Sequence, residues 1–248
     1  MSDPKTQGKK DGMDLSEKAR RGGKTYSLNR RLFMQLYAFQ GSIGTRPLID
    51  FLSSQDVKGV LYHNFNHPAG YAWLHFSESP DEILAHNRLL FSQSPFNELT
   101  LQPEYTMVGR TYALGHEKDL ERALISRPIQ RVTHPDLKWA IWYPVKRSGN
   151  FETLSRKEQR KMLMEHGGIG KAYGKAGLAH DIRLACHGLD KNDNDFVIGI
   201  LGRELYPLSH LVQRMRKTKQ TSRYLTNLGP FFVGKVVWQH TVRGDSSQ

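Results

Sequence analysis

The sequence predicts an α+β fold: two tandem ferredoxin-like units, each β-α-β-β-α-β, closed on one another as a dimeric α+β barrel. Three observations predict it. Alternating apolar runs and helix-spaced apolar stripes follow in the same order in both halves of the chain. Turn-forming clusters separate the middle two strands of each half. A ferredoxin-like sheet also carries helices on one face only, so two such sheets bury their bare faces most economically against each other.

The first unit is assigned to residues 26–115. Leu32–Gly41 reads as a strand, and TRPLIDFLSS as a short helix with Thr45 as cap and Pro47 in its first turn. VKGVLYHNF and YAWLHFSE flank the turn NHPAG as a hairpin. SPDEILAHNRLLFSQ opens with a capping box of Ser79 and Glu82 and places Ile83, Asn87 and Leu90 on one helical face. ELTLQPEYTMVGRTY closes the unit as a strand. Residues 116–135 are expected to be a linker, and residues 136–240 repeat the order. LKWAIWYPV is a strand, LSRKEQRKMLMEHG a helix, and DIRLACHG and DFVIGILG a hairpin around LDKNDN. Leu208, Leu211, Val212 and Met215 stripe a second helix, and GPFFVGKVVW is the last strand.

The chain of 248 residues carries a formal net charge of +12 and a single cysteine, Cys186. An internal disulfide is therefore excluded, and a reducing, cytoplasmic compartment is expected. No run approaches a membrane span, and the first residues lack a signal-peptide core. Residues 1–25 read as a solvated basic tail and 241–248 as a flexible one. The excess positive charge predicts attraction to polyanions. Its scatter along the chain, with no nucleic-acid-binding motif, argues against DNA or RNA and leaves an anionic lipid or a small polycarboxylate or phosphate.

His166 is the first residue with candidate chemistry. Ser155 and Glu158 form a second capping box, so the helix starts at Arg156, and Gly167 and Gly168 supply a left-handed cap that puts His166 in the last turn. There it is either a cation favoured by the helix dipole or a metal ligand. No local histidine or carboxylate completes a zinc or non-haem iron site; a lone histidine suits a haem iron, whose macrocycle fills the equatorial positions. Tyr143 shares a strand face with Trp139 and Ile141, where an aromatic is ordinarily a core filler.

WAIWYPVKRSGNFETLSRKEQRKMLMEHGGIGKAY resembles the central signature of the chlorite dismutase-like haem protein family, and specifically its coproheme decarboxylase branch. The resemblance continues through GLDKNDNDFV, LVQRMRKTKQTSRY and GPFFVG, and so covers the second half. It implies iron-coproporphyrin III as substrate and redox centre, hydrogen peroxide as co-substrate, haem b as product, and a homo-oligomeric ring of five subunits. It makes His166 the proximal iron ligand and Tyr143 the radical carrier through which two propionates become vinyls. Lys146 and Arg147 become partners of the reacting carboxylate, with Lys146 one residue ahead of the family's usual lysine. Arg216 and Thr221 match positions that contact propionates.

The distal position stays open between Arg183 and Asp181, which share a strand face, and a distal acid or base between Ser126 and His134. Arg183 would be required of a chlorite-degrading enzyme. Tyr143 argues against that chemistry, as does Leu201, near where chlorite dismutases place a glutamate that strengthens the histidine ligand. The alternatives to decarboxylation are chlorite dismutation and non-catalytic haem binding.

Overall fold

A computed structural model describes residues 12–240; residues 1–11 of the expected N-terminal tail and the whole expected C-terminal tail, 241–248, lie outside the described residues. In chain order the first repeat holds β1 (Glu17–Arg21), β2 (Lys24–Leu28), β3 (Phe33–Gln40), α1 (Thr45–Ser54), β4 (Gly59–Asn64), β5 (Gly70–Ser77), α2 (Pro80–Phe91) and β6 (Thr100–Arg110). Then come α3 (Arg127–Val132), β7 (Trp139–Arg147), α4 (Arg156–Lys175), β8 (His180–Ala185) and β9 (Phe196–Gly202). The chain finishes with α5 (Leu205–Arg216), α6 (Lys219–Tyr224), β10 (Leu225–Leu228) and β11 (Phe232–Gln239).

Within each repeat the strands pair in ferredoxin-like order, β4-β5-β3-β6 and β8-β9-β7-β11. The last strand of each repeat pairs with the second strand of the other, β11 with β4 and β6 with β8. Every pairing is antiparallel, and the ring of eight strands closes without a free edge, as the two bare sheet faces require. Inside are Leu36, Tyr62, Phe76, Met107, Trp142, Leu201 and Phe232. Gly199 faces Trp142 on the neighbouring strand, and a Cβ there would lie 2.6 Å from the indole ring, so only glycine admits that ring.

The expected linker does more than connect. Leu120, Leu124, Ile125 and Val132, from the helical segment leading into α3 and from α3 itself, join the barrel's interior cluster. The outer sheet faces are covered by helices: α1 and α2 lie over Leu61, Tyr71 and Trp73 in the first repeat, and α4 and α5 over Ile141, Tyr143 and Ile200 in the second.

Three expectations need correction. Residues 17–28, partly inside the segment expected to be a solvated tail, form the β1-β2 hairpin. Gly22 and Gly23 turn it at φ of 56° and 77°, and Glu17 docks it by accepting from Ala113 N at 2.9 Å and Arg110 Nη1 at 3.2 Å. Thr45 is the first residue of α1 rather than its cap, which is Gly44. Finally, Gly167 and Gly168 do not end α4. The helix runs on to Lys175, and the left-handed residue is Gly177, at φ 68°. Each mid-helix glycine costs about 1 kcal/mol relative to alanine. Packing of Ile169 and buried Tyr173 against the second repeat's outer cluster outweighs that local cost.

One buried titratable group stands apart from the barrel core. His75 on β5 is 1% exposed, with Nδ1 3.2 Å from Asn87 Oδ1 and its ring stacked on His86 at 5.4 Å. Burial lowers its pKa from 6.5 to about 4. Between those values the unfolded chain binds a proton that the folded chain does not, so stability should fall as pH drops from 6.5 towards 4. The expected loss is on the order of 3 kcal/mol. Urea unfolding at several pH values should show it, and His75→Gln should flatten that part of the profile.

Candidate active site

The site is built on the outer face of β7, β8 and β9. Alternation along β7 sends Ala140 and Trp142 into the barrel and Ile141, Tyr143 and Val145 outward. Cross-strand register then lines up Arg183 of β8, Ile198 of β9 and Tyr143 of β7 in one row. Arg183 and Tyr143 thus stand two strand spacings apart, roughly 10 Å. Beyond Tyr143 the row continues through Phe231, whose ring stacks on it at 4.6 Å and 28°, to the guanidinium of Arg216, 5.8 Å from the Phe231 centroid. A phenol in an apolar strip is flanked by a guanidinium on either side.

Tyr143 is 6% exposed. Burial raises its pKa above the ordinary phenol range; the negative charge of Asp181 adds to the rise and the positive charge of Arg216 opposes it. The phenol is therefore protonated at neutral pH.

His166 is held by α4, whose start is fixed by the predicted box. Ser155 Oγ accepts from Glu158 N at 3.3 Å, and Glu158 Oε2 accepts from Ser155 N at 3.2 Å. Because α4 continues nine residues past His166, the helix-dipole reading loses its basis: that effect is confined to the last turn. Burial, with the charge of Arg183, holds the imidazole below its ordinary pKa, so the ring is neutral. Its Nδ1 lies 3.3 Å from Thr218 Oγ1. Thr218 Oγ1 also lies 2.8 Å from Met215 O, to which it can only donate.

The remaining predicted residues divide. Arg147 lies on the Tyr143 face, its guanidinium carbon 4.3 Å from the Phe151 ring centroid and 5.0 Å from that of Phe196, with Nε buried and unpartnered. Lys146 alternates to the opposite face and pairs with Asp193, so it does not join Arg147. Asp181 and Arg183 share a face as expected and bond each other at 3.0 Å, while Arg131 holds Asp181 from the side at 3.5 Å. Thr221 joins the Thr218 hydroxyl at 3.2 Å. His134 is an exposed loop residue whose Nδ1 accepts from Asp136 N at 3.1 Å, and Ser126 ends the π-helix Arg122–Ser126 that runs into α3. Leu201 points into the barrel core and does not reach His166. Sequence reasoning missed Thr218, Phe231 and Arg131, since each acts through a long-range contact.

Among the described residues no three histidine, cysteine or acidic side chains converge on a metal position. The donor set is instead one neutral imidazole with a free Nε2, together with an orphaned buried arginine nitrogen and further guanidiniums across an apolar face. That set fits an iron macrocycle bearing carboxylates.

Residues 46–237 match the chlorite dismutase family. The chain belongs to that family. Among curated proteins, the coproheme decarboxylase of Staphylococcus carnosus (strain TM300) is 28% identical over 112 residues, covering 44% of this chain and 43% of that protein. The chain thus spans less than half the length of that curated relative. Among solved structures, a heme-binding protein from Thermus thermophilus superposes with a TM-score of 0.63 at 19% identity over 84% of this chain and 92% of that one. Chlorite dismutase from Candidatus Nitrospira defluvii in complex with imidazole does so with a TM-score of 0.60 at 15% identity, over 83% and 90%. At these identities the structures establish the chlorite dismutase fold of paired ferredoxin-like repeats. No helix among the described residues is long and apolar enough to cross a membrane.

Proposed function

We propose that this chain is a peroxide-dependent coproheme decarboxylase that converts two propionates of iron-coproporphyrin III to vinyls and releases haem b. The observation that carries the reading is a buried, protonated phenol, Tyr143, with Arg183 and Arg216 on either side of it on the sheet face that α4 covers. Family membership and the partial match to a coproheme decarboxylase support it.

Coproheme, when bound, supplies the iron at which peroxide is reduced. Each propionate lost then consumes one peroxide and one proton and yields a vinyl, a carbon dioxide and two waters. His166 offers Nε2 to the iron. Tyr143 gives up its phenolic hydrogen and is restored by a hydrogen atom from the propionate β-carbon. Burial keeps that phenol from ionising, so its proton and electron leave together. Arg147, Arg183 and Arg216 bind carboxylates, and their hold weakens as the propionates are consumed. This favours release of the product. The same charge complement keeps a propionate beside the phenol while the outer cluster excludes water. We further propose a cytoplasmic ring of five subunits; the free, buried Cys186 supports a reducing compartment.

Chlorite dismutation is the second reading, favoured by the outward guanidinium of Arg183. Its bond to Asp181 opposes that reading by engaging the charge that an incoming anion would need. Titrating peroxide into protein mixed with coproheme should give the three-propionate intermediate and then haem b by mass spectrometry. Tight binding with unchanged coproheme would leave a non-catalytic haem binder, and rapid oxygen evolution from chlorite would favour the second reading.

A further inference from the structure

Thr218 lies at the junction of α5 and α6, is 2% exposed, and its hydroxyl makes four contacts, one of them with Thr221 Oγ1 at 3.2 Å. It donates to Met215 O at 2.8 Å, closing the end of α5. It accepts from Thr221 N at 3.4 Å as the N-cap of α6. It also lies 3.3 Å from His166 Nδ1, across 52 residues of sequence. Met215 O can only accept, and this is the shortest of the contacts; with the hydroxyl proton there, the oxygen faces His166 Nδ1 as an acceptor.

We infer that Thr218 is the positioning residue for His166: its hydroxyl selects the Nδ1–H tautomer, aims Nε2 away from α5 and α6, and makes the ring a neutral rather than an imidazolate-like donor. A bare neutral imidazole in water prefers the opposite tautomer, so a lone pair on Nε2 has to be imposed. Leu201, inside the barrel, cannot impose it. Among the described residues Thr218 is the hydrogen-bonding partner the ring has. The same hydroxyl joins His166 to the Arg216–Thr221 segment, so the ring and that segment are held in one frame. A cleft of about 450 Å³, lined by Glu165, Ile169, His210, Arg214, Lys217 and Thr218, lies on the helix side of this junction and draws no residue from the sheet.

The tautomer arm of the test needs no bound porphyrin; only the iron arm rests on the reading of His166 as axial ligand. Nitrogen-15 spectra of the histidine rings in ligand-free full chain should show His166 as Nδ1–H in wild type and in Thr218→Ser. Thr218→Val, which removes the hydroxyl at nearly constant shape, should shift it to Nε2–H. A wild-type ring protonated on Nε2, or a valine variant that stays Nδ1–H, would overturn the inference. Thr218→Asp preserves the cap of α6 while placing a carboxylate at Nδ1. With iron-coproporphyrin bound, it should raise the iron–histidine stretching frequency and lower the reduction potential relative to wild type. An aspartate variant with both values unchanged would also overturn the inference, provided His166→Ala alters the iron spectrum. If His166→Ala leaves that spectrum unchanged, the ligand assignment fails, and the tautomer measurement still decides the role of Thr218.

Discussion

Tyr143→Phe should bind coproheme with unchanged affinity and fail to produce either the three-propionate intermediate or haem b. The two side chains differ by one hydroxyl, on a ring that is 6% exposed. Its removal should shift folding stability by less than about 1 kcal/mol. Stacking on Phe231 at 4.6 Å survives the change. Lost turnover could not then be ascribed to unfolding or to an altered pocket. An expected loss on the order of 10³-fold or more corresponds to at least about 4 kcal/mol in the activation barrier. Mass spectrometry of the porphyrin after peroxide addition reads the result directly, and normal conversion by Tyr143→Phe would end the radical assignment.

His166→Ala should shift the absorption of the bound iron and weaken coproheme binding on the order of 10²-fold, about 2.7 kcal/mol. The fold should tolerate it. Alanine is the best helix former, and the bond lost to Thr218 is worth roughly 1 kcal/mol. Imidazole added in solution should restore the spectrum by supplying the missing nitrogen. A variant indistinguishable from wild type would move the iron ligand to another residue.

What the sequence disclosed was local or periodic. The box of Ser155 and Glu158 fixes the start of α4 because its partners are three residues apart. Alternation places Tyr143 with Ile141 because a strand has period two. The end of α4 escaped the same logic: Gly167 and Gly168 carry a terminating propensity that the packing of Ile169 and Tyr173 overrides. The β1-β2 hairpin had its signal in Gly22-Gly23, a pair suited to a tight hairpin turn, but the surrounding charges read as a solvated tail. Lys146 and Arg147 look equivalent on paper, and strand alternation sends them to opposite faces, one of them to Asp193. Thr218 could not be read as the partner of His166, because nothing local encodes a contact across 52 residues.

The edge of β7 opposite β9 is shared by two strands: β11 pairs with Trp139–Trp142 and β10 with Val145–Arg147, while Gly229 N donates to Pro144 O between them at 3.0 Å. Tyr143 falls at the changeover, where the closing strand hands over to a loop that brings in Phe231. The Tyr143 ring is therefore roofed by a loop residue instead of by a strand of the barrel. Substitutions at Phe231 can retune the chemistry of the phenol while the seam that seals the barrel stays as it is.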